Sequence, residues 1–357
     1  MSQLLSAPAP RRGLSALTAT LLFGLAPLAW GQSLWLDDAG RPGAAARQAV
    51  QWLAHADRDG LRPADYGASA LSQTLAQAET HPLPPDAAAR LDSELTDAVL
   101  RYLNQLRHGR VDAAQINARY DSATAPEADL ATALREAVAR GTPDDALRAA
   151  TPPWPQYPAL RDALARYHAL ADDPAWQEKL PGLPGGKLVA GQSWAGLRPL
   201  ADRLQALGDL PADFDRAATG YSPPLQDAVK AFQTRHGLAA DGVVAKATLD
   251  ALAVSPATRA QQIALAMERL RLTPLPEAAR FITVNIPEFV LRAYEQPTAH
   301  SNAPVHQAFA MKVIVGSALD ARTPLFDEDM RWIEFSPYWN IPSSIARKET
   351  VPKLRAN

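Results

Sequence analysis

Between Leu225 and Leu249 the chain alternates apolar and polar positions with a helical period. Leu225, Ala228, Val229 and Phe232 fall at i, i+3, i+4 and i+7, which makes one stripe for a core and leaves Asp227, Lys230, Gln233 and Arg235 for solvent. Pro223 and Pro224 suit the first turn of such a helix. Gly237 follows His236 where a left-handed residue would end it, and Leu238 can fold back on the last turn. Asp241-Gly242 then predicts a turn into a second helix carrying Leu249 and Leu252. With the pattern from Trp194 to Leu207, the segment reads as a three-helix unit.

Upstream, residues 32 to 180 are rich in Ala and Leu with the same period, as in Leu160, Leu164, Tyr167 and Ala171, broken by prolines at 82–85 and 152–158. An all-helical region is expected there. Pro181 to Gly186 reads as a linker or sharp turn, and its glycines follow no strand with dinucleotide-loop spacing. Downstream, Arg259 to Arg271 predicts a helix, and FITVNI (281–286), FVLRAYE (289–295), FAMKVIVG (309–316) and RWIEF (331–335) predict strands. Pro287-Glu288 between the first two argues a hairpin. The fold class expected is therefore multidomain α+β.

The pattern FQ-x-RHGL-x-x-DG-V-x-x-x-TL, from Phe232 to Leu249, resembles the three-helix peptidoglycan-binding domain that anchors many bacterial wall enzymes; Ala245 stands where that family usually has glycine. ERLR, VNIPEFVLRAYE, KVIVG, TP and SPYWNIPSSI, in this order, resemble the opening of the L,D-transpeptidase catalytic domain, of the large scaffold-bearing kind found in Gram-negative periplasms. GLRPADYG (60–67), LDSELTDAVLRYLNQLRHGRVD (91–112) and YPALRDALARYHALA (157–171) resemble the helical scaffold of that subfamily. The resemblance implies a murein L,D-transpeptidase: a cysteine attacks the diaminopimelate carbonyl of a tetrapeptide stem, expels D-alanine, and passes the acyl group to another stem's amine, giving a 3-3 crosslink. It implies peptidoglycan as partner, both glycan strands and stem peptides. Candidate peptidoglycan-binding residues are Gln233, Arg235, His236, Asp241 and Gly242.

The chain contains no cysteine. Acyl transfer from an amide to an amine calls for a nucleophile that attacks and then leaves, a task for a thiolate and not for an unassisted hydroxyl at neutral pH. Ser343 and Ser344 lack the G-x-S-x-G surroundings of an activated serine, and Pro342 ahead of them suggests that they cap a helix through Ile345. No catalytic residue is therefore assigned. Phe281 to Asn357 is shorter than the roughly 100 residues of a common domain, so an incomplete catalytic domain is expected, inactive as it stands. The alternative is a non-catalytic peptidoglycan-binding scaffold protein. Tyr338, Trp339 and Asn340, an aromatic pair and an amide between prolines, are candidates to face substrate, with core packing as the competing reading.

Composition narrows the partners. A formal net charge of -2 gives no broad basic surface for nucleic acid. The seven histidines, at 55, 81, 108, 168, 236, 300 and 306, form no HExxH and no i, i+4 pair, so neither a metal nor a cofactor is expected. His236 could touch glycan or face the C-terminal end of its helix dipole, and His300 and His306 read as solvated loop residues. Arg11-Arg12 ahead of the apolar run Leu14 to Leu28, with Ala29-Trp30-Gly31 behind it, reads as a signal peptide over residues 1–31. An uncleaved membrane anchor is the alternative, and both place the body in the periplasm. The expected order is a scaffold (32–180), a peptidoglycan-binding domain (190–256), a linker helix (257–280) and the incomplete catalytic domain (281–357).

Overall fold

The computed structural model of the protein describes residues 33–111, 129–215, 220–273, 275–276, 278–296, 305–317, 319, 322–325, 327–338 and 340–356. The signal-peptide segment, His300 and Trp339 lie outside the described residues. Among the described residues no helix is long and apolar enough to cross a membrane.

The helices are α1 Ala44–Ala54, α2 Ala68–Thr80, α3 Pro85–His108, α4 Leu130–Ala139, α5 Asp144–Ala150, α6 Gln156–Ala169, α7 Leu197–Ala206, α8 Pro223–Arg235, α9 Lys246–Ala253 and α10 Pro256–Arg271. The expected proline breaks separate α2 from α3 and α5 from α6. In α3 the buried positions Leu91, Leu95, Ala98, Val99, Tyr102, Leu103 and Leu106 run as a single stripe. They pack with α1, α6 and the indole of Trp35, whose Nε1 donates to Thr96 Oγ1 at 2.8 Å.

That first core does not stop at the scaffold. Ala260 and Met267 of α10 belong to it, and so do Phe281 and Tyr294. Residues 257–280 were expected to be a linker helix, yet α10 lies against α6 along its length. Tyr157, near the start of α6, meets Arg271 at the end of α10, while Tyr167, near the end of α6, lies with Arg259 at the start of α10. The two helices are thus antiparallel neighbours.

The strands are β1 Arg280–Asn285, β2 Val290–Glu295 and β3 His306–Lys312, antiparallel in that order, with Phe281 opposite Tyr294 and Val290 opposite Lys312. Pro287-Glu288 forms the tight connection of the hairpin, as expected, and Phe289 takes a left-handed φ of 60° there. Three expectations need correction. RWIEF (331–335) is not a strand: it has no ladder partner among the described residues, and cross-strand pairing rather than alternation is what holds a strand. β3 starts earlier and stops earlier than the 309–316 run, so His306 pairs with Glu295 instead of sitting in a loop. The helical stretch from Ser343 to Ala356 begins after Pro342, which occupies the N-cap position, and no serine side chain caps it.

The hairpin is tied to the scaffold through aromatic contacts. Phe281 stacks on Tyr294 at 5.0 Å and meets Trp154 edge-on at 6.2 Å, Gln156 donates to the Tyr294 hydroxyl, and Trp154 Nε1 donates to the Thr273 carbonyl at 2.7 Å. Beyond Lys312 the large apolar side chains are open to solvent: Ile314, Trp332 and Phe335 are 101%, 77% and 88% exposed. The sheet therefore divides into a docked hairpin and an uncovered remainder. Limited trypsin digestion is expected to cut first at exposed Arg331, Arg347 and Lys348, leaving a fragment that retains β1 and β2 on the scaffold. Intact mass reads this directly, and early cleavage at Arg280 or Arg292 would contradict the docking.

Candidate functional site

The second core gathers Leu188, Trp194, Leu200, Tyr221, Phe232, Val244 and Leu252 around α7, α8 and α9. Its α8 ends as the sequence predicts. Gly237 adopts φ 67°, the Leu238 amide donates to the Gln233 carbonyl at 2.9 Å, and the Gly237 amide donates to the Thr234 carbonyl at 3.2 Å, which is the paired pattern of a glycine-terminated helix. Ala245 sits at φ -105°, a conformation any residue adopts, so the missing glycine costs nothing here.

Gln233 was expected on the wet face and is buried instead. Its Nε2 donates to Asp241 Oδ1 at 3.1 Å, the Val243 carbonyl at 2.9 Å and Thr248 Oγ1 at 3.1 Å, and its Oε1 accepts the Gly242 amide at 2.9 Å. Asp241 Oδ1 also accepts the Val243 amide at 2.9 Å. The Gln-to-Asp-Gly pattern is therefore an internal clamp that satisfies the polar groups of the α8–α9 turn. A period-3.6 reading assigns glutamine to solvent because it sees polarity and not the amide-rich turn folding over the helix.

Arg235 and His236, by contrast, stand at the surface end of α8. Arg235 pairs with Asp209 through both guanidinium nitrogens, with Nη2 to Oδ2 at 2.6 Å. The His236 ring stacks on Phe232 at 3.9 Å, with Nδ1 2.9 Å from the Phe232 carbonyl. Burial holds the imidazole pKa below its ordinary value.

In the strand region, Tyr338 is 92% exposed and Asn340 is also exposed, so the core-packing reading fails for Tyr338 among the described residues. Ser343 and Ser344 are exposed at their helix start. Among the described residues no cluster of three or more His, Asp or Glu side chains could hold a metal ion.

Two polar constellations were not anticipated from the sequence. Arg203 is buried in α7 and donates to the carbonyls of Ala175 at 3.0 Å, Glu178 at 2.6 Å and Leu252 at 2.9 Å, stitching residues 175–178 onto the second core. Asp59, also buried, accepts from Tyr102 at 3.0 Å and Tyr157 at 3.2 Å and lies 3.2 Å from Arg161 Nε. Arg271 of α10 completes this second group, reaching the Asp59 carbonyl, Tyr157 Oη at 2.7 Å and Glu268 Oε2 at 2.9 Å. Burial, then the Asp59 charge, raises the pKa of both Tyr102 and Tyr157 well above the ordinary phenol value, so each remains a proton donor. Glu268 and Arg271 lie three residues apart in an apolar helix pattern, which was the available signal.

A helical scaffold, a compact three-helix unit and an antiparallel sheet docked on the scaffold define the class as a multidomain α+β protein. Residues 30–164 match a scaffold domain, residues 195–252 a putative peptidoglycan binding domain, and residues 279–357 the L,D-transpeptidase catalytic domain. Together these matches show a chain whose C-terminal segment is similar to the L,D-transpeptidase catalytic domain, with segments similar to a scaffold and a peptidoglycan-binding domain ahead of it. No curated protein matches the chain significantly. Domains of this kind associate with peptidoglycan, which lies outside the cytoplasmic membrane.

Proposed function

We propose that the protein is a periplasmic, peptidoglycan-anchored member of the L,D-transpeptidase family that serves 3-3 crosslinking of stem peptides. The observation that supports this most is the three-helix unit itself: its turn network is complete, its helix C-terminus is properly closed, and residues 195–252 match a peptidoglycan-binding domain. In the proposed arrangement residues 1–31 export the chain, 32–180 form the scaffold, 190–256 hold the wall, and 281–357 supply the opening strands of the catalytic domain. Arg235 and His236 are the proposed wall-facing residues of the anchor, while Gln233, Asp241 and Gly242 shape the turn behind them. Tyr338, Trp339 and Asn340 are proposed to face substrate.

The acyl step requires a cysteine, and these 357 residues contain none. A second reading is a binding scaffold without chemistry of its own. The chain is expected to sediment with purified sacculi and to release no D-alanine from tetrapeptide stems. Loss of sedimentation by a folded sample removes the anchor reading. Release of D-alanine would show that a nucleophile other than cysteine operates.

A further inference from the structure

A cleft of about 310 Å³ lies where the anchor meets the scaffold, between α6, α10 and the C-terminal end of α8. Its floor is apolar, made by Leu160, Ala163, Leu207, Ile263 and Ala266, and its charged lining consists of Arg166, Arg235 and Arg259, with His236 beside them. No carboxylate lines it. We propose that this cleft binds the acidic stem peptide of peptidoglycan, with carboxylates held by Arg166 and Arg259 and small alkyl side chains on the apolar floor. This rests on the peptidoglycan reading above and assigns to it a site made jointly by two domains.

The charge balance is what commits the cleft to an acidic occupant. Arg235 is already neutralised by Asp209. Arg259 donates only to neutral acceptors, Gln262 Oε1 at 3.0 Å and the Ala251 carbonyl at 3.1 Å, and Arg166 has no carboxylate partner among the described residues. Arg259, half-buried without a counter-charge, is costly to leave so, exposed Arg166 beside it is free to turn inward, and a ligand carboxylate meets a guanidinium's planar fork with paired hydrogen bonds. The volume suits a short peptide segment, since small-ligand sites begin near 300 Å³. A purely anionic partner such as phosphate would leave the apolar floor wet. Because Arg166 sits on α6, Arg259 on α10 and His236 on the anchor, an occupant touches three elements at once and holds the anchor against the scaffold.

The full chain should be titrated calorimetrically with a soluble disaccharide-tetrapeptide, with the same muropeptide after amidation of its carboxylates, and with inorganic phosphate. Each lost charge-assisted contact is expected to weaken muropeptide binding about tenfold, so R166Q should lose about tenfold and R166Q/R259Q about a hundredfold. Amidated ligand should show a comparable loss against the wild type. The Arg166 side chain is exposed, so Arg166→Glu decides the matter if R259Q impairs folding. Unchanged affinity in R166Q and R166E, equal affinity for amidated ligand, or arginine-dependent binding of phosphate alone would overturn the proposal. Sacculus sedimentation run in parallel separates the two failures: variants that still sediment with unchanged muropeptide affinity remove this cleft and leave the anchor, whereas a wild type that does not sediment removes the anchor.

Discussion

Replacing Arg271 by alanine is expected to cost about 3–5 kcal/mol, the usual penalty for removing one partner of a buried ion pair. The side chain is fully buried, and its guanidinium faces Glu268 Oε2, the Asp59 carbonyl and the Tyr157 hydroxyl together. Its guanidinium also lies 5.7 Å from the Tyr157 ring centroid. Without it Glu268 keeps only the amides of Arg110 and Val111, and a buried carboxylate is left without charge compensation. The loss falls on the contact between α10 and the scaffold, and through α10 on the docked hairpin. Chemical denaturation of the full chain measures it. Arg271→Lys keeps the charge but not the fork that serves three acceptors, and should fall between the two. A loss under about 1 kcal/mol for Arg271→Ala would mean that the network contributes little to stability.

Gly60→Ala is expected to be strongly damaging, because the added methyl meets the body of a neighbouring helix. Gly60 has φ 67°, and a Cβ there would stand 2.8 Å from Ala264 Cβ and 2.9 Å from Ala264 Cα of α10. The left-handed backbone costs about 1–2 kcal/mol for a residue with a side chain. The clash with a neighbouring backbone adds about 1–3 kcal/mol, because the obstacle is not a flexible side-chain tip. Gly67 supplies the control: its φ is 64°, and nothing stands within 4 Å of the added methyl. Gly67→Ala should therefore lose only the conformational part. Equal losses at the two positions would show that α10 does not press on the Gly60 turn.

The two substitutions probe a region that periodicity reads poorly. The stripe of α8, the glycine that ends it and the Pro-Glu hairpin were all legible, because each is decided by residues within a few positions of one another. Gln233 was misassigned because its partners, Gly242 and Val243, come from a turn that returns over the helix. Likewise α10 was taken for a linker: its inward charges, Glu268 and Arg271, look solvent-bound until Asp59 and Tyr157 arrive from far along the sequence. RWIEF failed for a related reason, since a strand's partner cannot be seen in the strand. Arg166 and Arg259 are ordinary surface arginines in sequence, and only the antiparallel packing of α6 and α10 sets them around one cleft.

That antiparallel pair also fixes how the anchor is wired into the chain. Residues 170–255 leave from the end of α6 and return at the start of α10, where Tyr167 and Arg259 already lie together. Topologically the anchor is an insertion in a helical hairpin, and the chain on either side of it would close on itself with a short turn. A lineage could exchange or discard the module by a single in-frame event without redrawing the scaffold, and the same two positions are natural grafting points for a different wall ligand.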